Sequence, residues 1–81
     1  MQNRHLVKAI VDMAVFLEFT DEDVLNPDIS MAALEQLANE LQCMSESEKS
    51  SVAECIRELA TSYGERSEFV VSLPENLGIA S

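Results

Sequence analysis

The residues that could do chemistry in this chain are few. His5 is its single histidine, and Cys43 and Cys55 are its only cysteines. A structural zinc site takes four closely spaced Cys and His ligands. These three residues fall one short and lack metal-motif spacing. Asp21, Asp23 and Asp28 invite comparison with a calcium loop. An EF-hand starting at Asp21 needs an oxygen ligand at its fifth position, glycine at its sixth and glutamate at its twelfth. This chain has Leu25, Asn26 and Ala32 there. Glu54 and Glu58 stand one helical turn apart, but acid–base work needs one carboxyl desolvated so that its pKa moves. Their surroundings read as an open helix face. With Gly64 and Gly78 the only glycines, there is no phosphate-cradling loop. One histidine without a serine context makes no hydrolytic triad. The inventory predicts no enzyme, no cofactor and no metal.

What the chain has in quantity is acid. Fifteen Asp plus Glu face five Lys plus Arg, for a formal net charge of −10 in 81 residues. Such a surface repels nucleic acid and anionic lipid, both of which need basic contacts. It attracts basic proteins and speeds their encounter. The plainer reading is that like charge keeps small proteins apart. The acids gather in two places. Glu18, Asp21, Glu22, Asp23 and Asp28 form one group. Glu46, Glu48, Glu54 and Glu58 form the other.

The element that must organise these groups is the apolar run His5 to Phe19, interrupted only by Lys8, Asp12 and Glu18. At about 100° per residue, Leu6, Ile10, Met13 and Leu17 fall on one line flanked by Val7, Ala9 and Ala14, and this predicts a core-facing helical stripe. Lys8 and Asp12 form an i, i+4 pair on the opposite face. Val11, Val15, Phe16 and Phe19 lie beside or around that pair, where a surface helix is ordinarily polar. They need cover, from the chain's own tail or from a partner. The run is too short for the roughly 20 apolar residues of a membrane span and is charged near its middle. Asp12 also spoils it as a signal peptide.

The remaining elements follow from their punctuation. Asn3 is an N-cap for a first helix running to about Glu18. Thr20 and Asp23 are spaced as a capping box, with one short turn to follow through Val24 and Leu25. Asn26-Pro27-Asp28 opens a second helix to about Met44, with Leu34, Leu37, Leu41 and Met44 as its apolar line. Ser45-Glu46-Ser47-Glu48 is a capping box for a third helix to about Tyr63, with Val52, Ile56, Leu59 and Tyr63 inward and Gly64 as its stop. The tail carries Phe69, Val70, Val71 and Leu73. Pro74-Glu75-Asn76 reads as a turn, after which Leu77 and Ile79 fold back. Cys43 and Cys55 read as small buried hydrophobes of a reducing cytoplasm.

The expected fold is a single all-α domain over residues 1–81. It is a small antiparallel bundle of three main helices with a packed tail or a short fourth helix. The core is small, so stability is modest or helped by a partner. The expected function is a small cytoplasmic inhibitor that masks a basic protein, whether a toxin or a nucleic-acid-binding enzyme, in the manner of immunity proteins and antitoxins. Asp21, Glu22, Asp23, Glu54 and Glu58 would supply the charge, and Val15, Phe16 and Phe19 the apolar anchors. No direct contact with nucleic acid or membrane is expected. The competing reading is a homo-oligomeric structural or adaptor module, a homodimer in its simplest form, that pairs through the extra apolar face of the first helix and has no inhibitory role.

Overall fold

Three side-chain caps set the helix starts in a computed structural model that describes residues 3–80. The Asn3 side chain accepts from the His5 and Leu6 amides at 2.9 and 3.2 Å and opens α1, Arg4–Phe19. The Asn26 side chain accepts from the Asp28 amide at 2.8 Å, and Pro27 takes the first position of α2, Pro27–Gln42. Ser45 and Glu48 exchange both bonds of a capping box at the head of α3, Glu46–Leu59. Each cap satisfies backbone donors that a helix start leaves open.

The helix ends differ more from expectation. Thr20 does not cap the next turn. Its amide and its hydroxyl both donate to the Phe16 carbonyl, so it closes α1. Asp21 takes the capping role instead. Its carboxylate accepts from the Asp23 amide, and its carbonyl accepts from the Val24 and Leu25 amides in one turn. The α-helical part of α3 ends at Leu59, four residues before Tyr63, and tightens into a 3₁₀ segment, Ala60–Arg66. Gly64 breaks that segment with φ +56° and ψ −123°. The tail forms a short fourth helix, α4, Ser67–Asn76.

Pro74 lies inside α4 and is buried, so Pro74-Glu75-Asn76 is a last helical turn rather than a free turn. The stop comes at Gly78, with φ +76°. The Gly78 amide donates to the Glu75 carbonyl and the Ile79 amide to the Pro74 carbonyl, which is the Schellman pattern. Gln42, at the end of α2, donates its side-chain amide to the Leu77 carbonyl at 2.9 Å and ties the tail down. Leu77 and Ile79 are buried, as the sequence predicts.

The molecule is an all-α bundle of three main helices and this short fourth one. Its core comes mainly from α1, α3 and α4: Val7, Val11 and Ala14 meet Val52, Ile56 and Leu59, with Val70 and Leu73 from α4. α2 packs chiefly on α1 and buries only Ser30 and Leu41 fully. The face of α1 that turns inward is centred on the predicted flank, Val7 and Ala14, rather than on the predicted line. Leu6 is 61% and Met13 53% exposed, whereas Val11 and Ala14 are fully covered. The inward line is Val7, Val11 and Ala14, rotated about 100° from Leu6. Both faces of α1 are apolar, so periodicity does not choose between them. Valine and alanine are short and let α3 approach closely, and that packing decides.

Candidate partner-binding surface

The structure separates the two acidic groups along α1. Glu58 faces the start of α1, where its carboxylate lies 3.4 Å from the Arg4 guanidinium. Glu54 is exposed one turn earlier on α3. Asp21, Glu22 and Asp23 are exposed just past the other end of α1. α1 has 16 residues, which puts about 24 Å between its ends. The two groups therefore flank a helix rather than merge into one point of charge. Glu58 is partly neutralised by Arg4, while the three loop acids form no ion pair among the described residues.

The apolar candidates divide as well. Val15 is half-buried against the core. Phe19 meets Phe69 of α4 edge-on, with ring centroids 5.2 Å apart, and the Arg66 guanidinium lies over its ring, 4.0 Å from the centroid. The tail thus covers part of Phe19. Phe16 has no such cover and stays half exposed, one turn before the acidic loop. Val24, within that loop, is 79% exposed. Carboxylates and uncovered apolar side chains therefore stand together at this end of α1.

A second cluster was not anticipated. Asp12 takes Lys8 on one oxygen at 2.9 Å and the Tyr63 hydroxyl on the other. The Tyr63 hydrogen bond and then Lys8 hold the Asp12 carboxyl below its ordinary range, while burial and the Asp12 contact push the Tyr63 phenol well above its own. The Lys8–Asp12 pair was legible at i, i+4. Its third member was not, because Tyr63 lies 51 residues further along the chain, in the 3₁₀ segment.

Cations are also unevenly placed. Lys49 and Arg57 line a cavity of about 510 Å³ between α3 and the tail, together with Glu46 and Ser50. Lys49 lies 3.8 Å from Glu46, and Arg57 forms no ion pair among the described residues. This basic notch lies on α3 and the tail, away from the acidic loop. Cys43 is exposed rather than buried, with its thiol donating to the Asn39 carbonyl, and Cys55 is half-buried beside the core; both are free. Among the described residues, no group of three or more His, Cys, Asp or Glu side chains is arranged to hold a metal ion. No helix among them is long and apolar enough to cross a membrane. Comparison with family models, curated proteins and solved structures gives no match to this chain.

Proposed function

We propose that this chain is a small acidic binding protein of the immunity or antitoxin type, which neutralises a basic partner by covering its working surface. The observation that carries the reading is the end of α1. There, three exposed carboxylates that form no ion pair among the described residues, Asp21, Glu22 and Asp23, stand in the chain between the exposed side chains of Phe16 and Val24. Charge steers a basic partner into place, and buried apolar anchors then hold it. A turn closed by Asp21 keeps these groups in fixed relation, so little order has to be imposed on binding. Glu54 and Glu58, at the far end of α1, extend the field rather than the contact. The two free thiols suit a reducing compartment, and we place the protein in the cytoplasm.

A homodimeric module is the second reading. It is favoured by Leu6 and Met13, which are exposed on one line of α1. It is opposed by a net charge of −10 on each copy. The test is affinity capture with a tagged chain in lysate of the cell that encodes it, beside the charge-reversed D21K/E22K/D23K variant. A basic protein held by the first and lost from the second supports the inhibitor. Untagged copies of the same chain on both support the dimer.

A further inference from the structure

We propose that a groove between α1, α2 and α4, centred on Glu18, receives a segment of the partner in which a lysine or arginine is flanked by apolar side chains. This rests on the reading of the protein as a binder of basic proteins and names the chemistry of the contact. Glu18 follows Ala14 by four residues and Val11 by seven, so it continues the line of α1 that faces the core. A glutamate in that line is unusual, and it is tolerated here because the bundle opens at this end.

Two cavities meet at Glu18. One, of about 300 Å³, has Leu17, Leu25, Met31 and Leu34 in its walls. The other, of about 260 Å³, has Leu34, Phe69, Leu73 and Leu77. Glu18 and Leu34 line both, so the two adjoin across these side chains. Their cause is the loose seat of α2, which buries only Ser30 and Leu41 fully.

The carboxylates of this groove are Glu22, Glu18 and Glu35, and no Lys, Arg or His lines either cavity among the described residues. Glu18 forms no ion pair among them. While the groove holds water, Glu18 is solvated at no cost. An apolar segment laid into it would strip that water and strand a charge. An occupant that brings its own cation to Glu18 avoids the penalty and keeps the gain of covering leucine and phenylalanine. An anionic ligand lacks that complement, and a second copy of this chain brings a net charge of −10 against the three carboxylates of the groove. The occupant is therefore a basic–apolar segment of a different protein.

The test is selection of a random 12-residue peptide library on the immobilised full chain. Enriched peptides should carry Lys or Arg between apolar residues. Their amide shift perturbations should centre on Glu18, Leu34 and Leu73. Binding should weaken at least tenfold in E18Q, and in E35Q by less. Helical circular dichroism verifies that both variants fold. Basic peptides that bind E18Q as tightly as the unaltered chain, or that map to Asp21–Asp23, overturn the groove while leaving the basic-partner reading intact. Enrichment with no preference for Lys or Arg, or no enrichment at all, overturns both.

Discussion

The Tyr63 hydroxyl donates a hydrogen bond to the Asp12 carboxylate across 51 residues of sequence. This contact joins the segment after α3 to the middle of α1. Lys8 completes the cluster, on Asp12 at 2.9 Å and over the Tyr63 ring at 5.6 Å. The cluster is half exposed, so its contribution is modest and screened by salt.

Its pH dependence has a definite sign. The folded Asp12 pKa is lowered by Tyr63 and Lys8. Its contribution is therefore complete above the unfolded value near ~3.9 and is lost as pH falls through the folded value. The folded Tyr63 pKa is raised by burial and by Asp12. That contribution is complete below the unfolded value near ~10 and is lost as pH rises above it. Y63F should lower stability at neutral pH by about 1 kcal/mol and flatten the loss on both limbs. Urea unfolding at a series of pH values measures this.

The rotation of α1 makes a prediction that the sequence alone would reverse. Val11 is fully covered and Met13 is 53% exposed. V11A should cost more than M13S, although methionine is the larger side chain and loses more on truncation. M13S should stay within about 0.5 kcal/mol of the unaltered chain. I56A, at a fully buried position, should cost about 2–5 kcal/mol and leave little of a small bundle folded. Thermal melts of the three variants decide it.

How much of this was readable follows from where the information lies. Asn3, Asn26 and Ser45 are helix caps in the sequence and in the structure, because a cap depends on residues within one turn. The inward face of α1 was not readable. Leu6–Met13 and Val7–Val11 are both apolar lines, and only the partner helix selects one. Pro74 suggested a turn because proline disrupts helix interiors. It is accommodated near the C-terminal end of α4, with the Gly78 stop just beyond it. Of the candidate surface, the acidic loop was legible as exposed, whereas the cover of Phe16 was open between tail and partner until the packing of α4 left it half exposed. Glu18 was hidden, since its place on the core line shows only once that line is known.

Gly78 should resist substitution. A Cβ there would come within 2.5 Å of the Gln42 side-chain nitrogen, and φ is +76°. G78A should therefore displace the Gln42 amide from the Leu77 carbonyl and strain the Schellman stop, at about 1–2 kcal/mol. Gly64 differs, since a Cβ there meets nothing within 4 Å. G64A should carry the conformational cost of φ +56° and ψ −123° alone, and a denaturation series measures it. Hydrogen exchange at Ile79 and Ala80, whose amides bond to the Pro74 carbonyl, should speed up in G78A only.

The acidic loop makes a kinetic prediction. With a basic partner in hand, D21K/E22K/D23K should slow association by tenfold or more at low salt, and the gap should close as salt rises. Stopped-flow mixing measures it. The loop acids are exposed and form no ion pair among the described residues, so the melting temperature should fall only by what the lost Asp21 cap on the Asp23 amide costs.

Native mass spectrometry of the tagged chain purified from its own cell tests the central claim most directly. The account predicts a one-to-one complex of this 9.0 kDa chain with a basic protein, dissociating as salt is raised before transfer. Masses that are only multiples of the chain itself would contradict it and leave the homodimeric module standing.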